Sequence, residues 1–226
     1  KTFGVIGTGH IGQKALTIAK GFSMNTIAYD LFPNEELAAE LGFTYVDITT
    51  LLTEADVVSL HVPYTKDTHH ILDADRLREM KPSAFLINTA RGALVDTEAL
   101  VSALKSQELA GAALDVVEGE KMLVMEEEIA MLQNRSTSSD SMKHSVALSV
   151  LKKMPNVILS PHNAYNTIEA IGRINQTTVD NIIRFFNGDI PNKVVAKPVV
   201  PGKLLLLRHA ESEWNAKGVW SGIADC

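Results

Sequence analysis

Short apolar segments of strand length alternate along the chain with longer segments in which apolar residues recur at helical spacing. The strand-like segments are residues 2–6, 26–29, 57–61, 84–88, 111–115 and 157–160, and the helical ones include 11–21, 34–41 and 97–106. This alternation predicts an α/β fold, a Rossmann-type doubly wound parallel sheet with helices on both faces. We expect ligands at the carboxyl ends of its strands.

Two segments depart from the alternation. Residues 118–154 are long and mixed, with an acidic run at 126–128 and a polar stretch at 134–141, which indicates an insertion or a mobile loop. Residues 167–187 form one long helical pattern that Gly188-Asp189-Ile190-Pro191 ends. Residues 197–202 have linker chemistry, rich in proline with one glycine.

The composition narrows the classes of partner. The chain has 226 residues, 46% of them hydrophobic, which is enough for a sizeable core. Its formal net charge of −6 argues against a nucleic acid or an anionic membrane as partner, since both require a basic face. The single cysteine, Cys226, gives no disulfide framework, and no apolar run reaches bilayer length. With no signal-peptide layout, we expect a cytoplasmic protein.

A glycine motif directly follows the first strand and opens the first helix. In Gly7-Thr8-Gly9-His10-Ile11-Gly12, Gly7 would permit a tight turn, Gly9 a close approach of backbone to pyrophosphate, and Gly12 close packing of helix on strand. The helix N-terminus would offer N–H groups and a partial positive charge to the phosphates. The alternative is a glycine-rich turn without a ligand.

Asp30 stands at the end of the second strand, eighteen residues after Gly12. A carboxylate there can accept hydrogen bonds from ribose hydroxyls and would repel the extra phosphate of NADP. The following residues, Leu31, Phe32 and Pro33, provide no arginine for that phosphate. The pattern therefore predicts NAD as the cofactor, with a solvated turn aspartate as the alternative.

Three ionisable residues come soon after the ends of predicted strands: Arg91, Glu120 and His162. A histidine can exchange a proton near neutral pH, and a nearby carboxylate would orient it and favour its charged form. An arginine can hold a substrate carboxylate by two parallel hydrogen bonds. With NAD, this set suggests hydride transfer between a 2-hydroxy acid and a 2-oxo acid, although loop residues such as Arg91 often serve as caps or surface pairs.

Five motifs together resemble the D-isomer-specific 2-hydroxyacid dehydrogenases. They are the glycine motif, Val58-Ser59-Leu60-His61-Val62-Pro63, Asn88-Thr89-Ala90-Arg91-Gly92, Ala113-Leu114-Asp115-Val116 and Ser160-Pro161-His162. The resemblance implies that Arg91 binds and polarises the substrate, that His162 donates the proton in reduction, and that Glu120 pairs with His162. It also implies NAD contacts from Gly7, Gly9, His10, Ile11, Gly12, Asp30, Val62, Pro63, Thr68, Thr89, Ala90, Arg91 and Asp115.

Within that family the chain is most similar to the D-lactate and D-2-hydroxyisocaproate dehydrogenase branch. Lys121, not proline, follows Glu120, and the catalytic histidine begins His162-Asn163-Ala164-Tyr165. The implied substrates are D-lactate with pyruvate, or a branched-chain analogue. The alternative is a catalytically silent module that binds NAD or dimerises. The resemblance also implies a homodimer formed through the NAD domain.

We expect three parts: a Rossmann domain at 1–165, a helix at 166–195 that returns to the substrate domain, and a linker with an incomplete strand-forming tail at 196–226. The chain begins at Lys1 with a strand and lacks the family's N-terminal half of the substrate domain. We therefore expect NADH binding with little or no turnover by this chain alone. Residues 203–215 resemble the start of phosphoglycerate mutases and related histidine phosphatases, in which the counterpart of His209 accepts a phosphoryl group. We expect His209 to be idle, because that family's remaining catalytic residues have no counterpart here.

We expect no chemical role for the other histidines in the first 200 residues. We expect His69 and His70 to begin a helix beside the cofactor, with no metal role because they lack partner ligands at a useful spacing. His61 should be packed or close to the cofactor, and His144 should be solvated. No metal site is expected.

Overall fold

In the computed structural model, which describes residues 1–118 and 139–189, seven parallel strands form one sheet. The strands are β1 (Thr2–Ile6), β2 (Asn25–Tyr29), β3 (Thr44–Tyr45), β4 (Val57–Leu60), β5 (Phe85–Asn88), β6 (Gly111–Leu114) and β7 (Val157–Leu159). Their order is β3-β2-β1-β4-β5-β6-β7, with every neighbouring pair parallel. The predicted Rossmann-type sheet is confirmed.

Seven α-helices lie in the described part of the chain. They are α1 (His10–Gly21), α2 (Glu35–Leu41), α3 (Ile48–Glu54), α4 (Ala74–Glu79), α5 (Thr97–Lys105), α6 (Ser139–Leu151) and α7 (Ile168–Phe186). Side-chain caps set several of their starts: Asn34, Asp47, Asp73, Asp96 and Thr167 each accept a hydrogen bond from a backbone N–H in the first turn.

The sheet has an apolar core on each face. Successive side chains of a strand point to opposite faces, and the neighbours Val5 and Ile6 accordingly belong to two different clusters. Val5 packs with Leu16 of α1, whereas Ile6 packs with residues such as Leu52 of α3. Burial on both faces explains why β1, β4 and β5 are nearly continuous apolar runs in the sequence.

The strand order reverses between β1 and β4. The chain runs outward from β1 to β2 and β3, then returns to place β4 on the other side of β1. The loops that leave the carboxyl ends of β1 and β4 therefore diverge and leave a crevice. The glycine motif begins at this crevice, immediately after Ile6.

Three expectations about elements need correction. β3 has only two residues and was not predicted from its short pattern. Residues 139–151 of the supposed loop form helix α6. His69 and His70 do not begin a helix: they lie in a turn, His70 has a left-handed φ of 49°, and α4 begins only at Ala74, after the Asp73 cap.

The chain divides into two compact units, Lys1–His162 and Asn163–Cys226. The first contains the whole sheet, and the described part of the second contains α7, which begins after its Thr167 cap. Within residues 1–118 and 139–189, no helix is both long and apolar enough to cross a membrane. The acidic run 126–128 and the segments 190–226 and 203–215 lie outside the described residues, and the side chain of His144 is not described.

Candidate functional site at the carboxyl edge of the sheet

The turn after β1 requires glycine at its first position. Gly7 has a φ of +98° and donates its N–H to the carbonyl of Tyr29 at 2.8 Å. A Cβ on Gly7 would come within 2.7 Å of Val62 Cγ1 and 2.8 Å of the His61 backbone. The turn is thus packed directly against the start of the loop that leaves β4.

The other two glycines of the motif have opposite surroundings. A Cβ on Gly12 would overlap the Gly7 carbonyl oxygen, so α1 can approach β1 closely only with glycine there. A Cβ on Gly9 would meet nothing within 4 Å. Gly9 is also the residue before α1, and no side chain caps that helix start. The backbone at Gly9 therefore faces open space at a helix N-terminus, an arrangement that suits a phosphate group.

Asp30, just after β2, is tied to the glycine turn. Its Oδ2 accepts hydrogen bonds from the Thr8 N–H at 2.7 Å and the Thr8 hydroxyl at 2.8 Å, and its Oδ1 accepts from the Phe32 N–H at 3.0 Å. The Thr8 hydroxyl also lies 2.8 Å from the Tyr45 hydroxyl. This placement holds the carboxylate beside the glycine turn. The contact between Thr8 and Tyr45 could not be predicted from the sequence, because β3, which carries Tyr45, was not predicted.

His61 follows β4, and its backbone lies against the same glycine turn. Its Nε2 lies 2.9 Å from the Ser59 hydroxyl, and burial lowers the pKa of its imidazole to about 4. The ring is therefore neutral at physiological pH, as desolvation disfavours the charged form. Of the two alternatives expected for His61, a packed residue or one close to the cofactor, this burial supports the first.

The loop after β4 contains the candidate cofactor residues Val62, Pro63 and Thr68. Thr68 is buried, donates its hydroxyl to the Pro63 carbonyl at 2.8 Å and accepts the Thr65 N–H at 2.7 Å. These bonds fold the loop back on itself. Thr68 therefore shapes the loop that presents Val62 and Pro63 at the crevice.

Asn88 organises the loop after β5, which carries Thr89, Ala90 and Arg91. The buried Asn88 amide donates to the Arg91 carbonyl at 2.8 Å and accepts the Ala90 N–H at 3.0 Å. The Arg91 guanidinium donates to the Ala90 carbonyl at 2.6 Å. A Cβ on Gly92 would overlap the backbone of Val117 and Glu118, so this turn lies against the loop that leaves β6.

Asp115 follows β6 and His162 follows β7, and a backbone hydrogen bond joins the two residues. Asp115 is 4% exposed and its Oδ1 accepts the Ser160 hydroxyl at 2.5 Å. The His162 N–H donates to the carbonyls of Asp115 and Ser160, each at 3.0 Å, and His162 has a left-handed φ of 49°. Ser160 was not among the predicted site residues, although its motif was. Glu120 lies outside the described residues, and its pairing with His162 stays a prediction.

A second cluster lies beside these loops. His70 Nε2 is 2.9 Å from Glu118 Oε1, and the ligand atoms of His69, His70 and Glu118 all lie within 4.8 Å of one another. The prediction was that these histidines lack partner ligands at a useful spacing, and the structure brings Glu118 to them from a distant part of the sequence. Glu118 is 48 residues from His70 along the chain, and only the adjacency of the loops after β4, β5 and β6 brings it close.

Apart from Glu120, which is outside the described residues, the predicted site residues lie in loops, or in the helix start that follows one, at one edge of one sheet. Gly7, Gly9, His10, Ile11 and Gly12 follow β1, Asp30 follows β2, Val62, Pro63 and Thr68 follow β4, Thr89, Ala90 and Arg91 follow β5, Asp115 follows β6, and His162 follows β7. Each of these loops leaves the carboxyl end of a parallel strand. The arrangement can hold an extended dinucleotide across the crevice and present cationic and proton-exchanging groups next to it.

Comparisons with known proteins agree with this geometry. Residues 1–164 match the model for the D-isomer specific 2-hydroxyacid dehydrogenase, NAD binding domain. The chain is 42% identical over 200 residues to a glyoxylate reductase of Thermococcus litoralis, a match that covers 88% of this chain and 53% of that protein. It is 40% identical over 196 residues to a D-lactate dehydrogenase of Escherichia coli, covering 86% of this chain and 56% of that protein.

A solved structure shares the fold as well. The crystal structure of D-lactate dehydrogenase with NAD+ from Lactobacillus jensenii superposes with a TM-score of 0.74 at 35% identity, covering 87% of this chain and 56% of that one. The chain therefore spans about half the length of the curated relatives it matches. Residues 203–215 lie outside the family match at 1–164 and outside the described residues, and these comparisons do not support their expected resemblance to phosphoglycerate mutases.

Proposed function

Because the chain belongs to the D-isomer-specific 2-hydroxyacid dehydrogenase family through its NAD-binding domain, we propose that it is the NAD-binding part of an oxidoreductase that interconverts D-2-hydroxy acids and 2-oxo acids. The observation that carries the proposal is the glycine turn. Gly7 and Gly12 are packed against protein, while Gly9 faces open space at an uncapped helix start.

The residues that would hold NAD follow from this geometry. The backbone around Gly9, His10 and Ile11 would bind the pyrophosphate, and Asp30 would accept hydrogen bonds from the adenosine ribose. Val62, Pro63, Thr68, Thr89, Ala90, Arg91 and Asp115 are the further contacts that the resemblance implies. When bound, the cofactor supplies the hydride for reduction or accepts it in oxidation.

The chain's own residues would position the substrate and move the proton. Arg91 would hold the substrate carboxylate, since a guanidinium matches it with two parallel hydrogen bonds. His162 would protonate the carbonyl oxygen in reduction and take the proton back in oxidation. Glu120 would stabilise the charged form of His162. The backbone bonds of His162 to Asp115 and Ser160 support this assignment, because they fix the histidine at the carboxyl edge.

We also propose that the substrate pair is D-lactate with pyruvate, or a branched-chain analogue such as D-2-hydroxyisocaproate. The similarity to two D-lactate dehydrogenases supports this, as does Lys121 after Glu120. The glyoxylate reductase is equally similar, so the assay should include glyoxylate. A catalytically silent module that binds NAD is the second candidate.

Three further proposals accompany this function. We propose three parts: the Rossmann domain at 1–165, a second part at 166–195 that contains helix α7 (Ile168–Phe186) and returns to the substrate domain, and the tail at 196–226. We propose a homodimer formed through the NAD domain. We propose a cytoplasmic location, which the single cysteine favours.

Titration with NADH tests the cofactor site. The unmodified chain should bind NADH, and Gly9→Ala should weaken binding at least tenfold, because a methyl group would occupy the space that the phosphates need. The matched control is Gly21→Ala at the other end of α1, where an added Cβ also meets nothing within 4 Å. Equal affinity of the two variants would contradict the proposal.

Consumption of NADH with pyruvate, 2-oxoisocaproate or glyoxylate tests the chemistry. Both this chain and any longer protein that contains it should be assayed. Arg91→Gln and His162→Gln should each lower any turnover at least a hundredfold while retaining NADH binding, consistent with the size of general acid–base effects. NADH binding without reduction in the longer protein would favour the silent module instead.

A further inference from the structure

The cluster of His69, His70 and Glu118 has the composition of a metal site. Two imidazoles and one carboxylate place their ligand atoms within 4.8 Å of one another, and His70 Nε2 is already 2.9 Å from Glu118 Oε1. We propose that these three side chains bind one divalent transition-metal ion of the zinc class. The proposal is independent of the hydride-transfer function, because none of the three is assigned to the cofactor or the substrate.

The backbone that carries the ligands is fixed by hydrogen bonds between loops. The His70 N–H donates to the Ala93 carbonyl at 2.9 Å, and the next residues continue this pairing through an isolated parallel bridge between Leu72 and Val95. Glu118 is held from the other side, because its backbone N lies against Gly92 so closely that no Cβ would fit. The two ends of the cluster are therefore fastened to the same turn after β5, which preorganises them.

The donor set selects the class of ion. Imidazole nitrogen suits zinc, nickel, copper and cobalt, whereas magnesium and calcium prefer sites made of oxygen ligands alone. Three protein ligands with a solvent molecule in the fourth position form a common tetrahedral zinc arrangement. The side chains of His70 and Glu118 are 29% and 15% exposed, so an ion can reach them from solvent without opening the core.

In this conformation the three ligand atoms do not surround one point. A rotation of the His69 side chain would complete the coordination shell. The rings of His69 and His70 are stacked, with centroids 3.8 Å apart and planes at 26°, so their nitrogen lone pairs do not converge on one point. Apart from this stacking, the exposed His69 ring has an edge-on contact with the Tyr64 ring and a long contact of 3.5 Å with the Tyr64 hydroxyl, so rotation toward Glu118 breaks no short hydrogen bond among those shown. Ligand atoms of a tetrahedral zinc ion lie about 3.3 Å apart, so the separation between any two of the three ligand atoms has to shorten by no more than about 1.5 Å.

Binding would exchange the proton in the His70–Glu118 contact for the metal. His70 would bind through Nε2 in its neutral form, with its one proton on the other ring nitrogen, and Glu118 would bind as the carboxylate; a second proton, where the ring carries one, is released to solvent. The ion would then connect the loop after β4 directly to the loop after β6. That connection exists only in the folded chain, so the ion should raise the unfolding temperature, and the rise should grow with the logarithm of the free ion concentration once the site is saturated.

The test uses the full chain without a histidine tag. Zinc chloride is titrated by calorimetry, and cobalt chloride is followed by its visible absorption, whose intensity reports tetrahedral coordination. We expect a site that binds one ion per chain and loses at least tenfold in affinity in His69→Ala, His70→Ala and Glu118→Gln. Glu79→Gln in α4 is the matched carboxylate control and should bind as the unmodified chain does.

If the other variants fail to fold, His69→Ala still tests the metal site. His69 is exposed, so its replacement removes no buried contact. Failure of zinc to bind the unmodified chain, or equal affinity in the His69→Ala variant and the unmodified chain, would show that the cluster is only an ordinary hydrogen-bonded pair with a stacked neighbour. Neither result would bear on NADH binding, which the Gly9→Ala titration tests separately.

Discussion

Asp30 shows how one side chain can serve both the fold and the ligand. Its carboxylate accepts the Thr8 N–H and hydroxyl, so it shapes the glycine turn before any nucleotide arrives. A carboxylate has about four acceptor positions, which leaves capacity for ribose hydroxyls. The same negative charge opposes a phosphate at that position, so the preference for NAD over NADP follows from a residue that the turn needs in any case.

Replacing Asp30 by alanine should therefore affect both properties. We expect NADH affinity to fall about tenfold to a hundredfold, since hydrogen bonds to a charged group contribute about 1.5–3 kcal/mol. The preference for NADH over NADPH should narrow at the same time. Fluorescence titration with both nucleotides measures this.

Tyr45→Phe is the control for the Asp30 variant. It removes the hydroxyl that contacts Thr8 and leaves the carboxylate in place. Its NADH affinity should stay within about threefold of the unmodified chain, because a net neutral hydrogen bond contributes about 1 kcal/mol or less. An unchanged NADH:NADPH ratio in Asp30→Ala would count against the assigned role.

His61 gives the fold a pH dependence with a definite sign. Its folded-state pKa is about 4 and its ordinary value is 6.5, so the unfolded chain binds the proton more readily. The free energy of unfolding should therefore fall as the pH is lowered from 6.5 to 4, with no contribution from this residue above that window. Urea unfolding at several pH values should show a shallower decline over that window in His61→Gln. An identical decline in both proteins would contradict the burial argument.

At the scale of elements, the contact between β1 and α1 depends on Gly12. We expect Gly12→Ala to lower the free energy of unfolding by about 1–3 kcal/mol, the usual cost of overpacking, because the new methyl group would overlap the Gly7 carbonyl. Gly21→Ala in the same helix should be neutral or stabilising by up to about 1 kcal/mol, because its methyl group meets open space. Chemical denaturation of the two variants measures the difference, and equal stabilities would refute it.

The elements that sequence reasoning missed are short or lie next to turns. β3 has two residues, too few for a period-2 pattern to register. The turn at His69 and His70 was mistaken for a helix start, although Asp73 is the residue with capping chemistry. By contrast, β1 and α1 were predicted almost to the residue, because a long apolar pattern with a glycine motif between its two parts leaves few alternatives.

At the scale of the whole molecule, the strand order decides which loops share an edge. β4 lies between β1 and β5, so the loop that carries Val62 contacts Gly7 on one side while its His70 end contacts Ala93 on the other. Neither contact follows from distance along the chain. The site is assembled from six loops because all the strands are parallel and their carboxyl ends coincide.

The proposed homodimer is tested at the same scale. Sedimentation velocity of the full chain should show a species with twice the mass of one chain at micromolar concentration. The sedimentation profile should not depend on NADH, because the resemblance assigns dimerisation to the fold of the NAD domain and not to its ligand. A monomer at every accessible concentration would contradict the proposal for this chain.

The sequence by itself determined the fold class, the glycine turn and the acidic residue after β2, since each depends on local patterns of burial, backbone freedom or charge. It also placed Arg91 and His162 just after strand ends, because apolar runs mark where strands stop. Only the tertiary structure decided the pairings of Thr8 with Tyr45, Asp115 with Ser160, and His70 with Glu118. These pairs are 37 to 48 residues apart, and sheet order, which no local pattern encodes, brings their loops together.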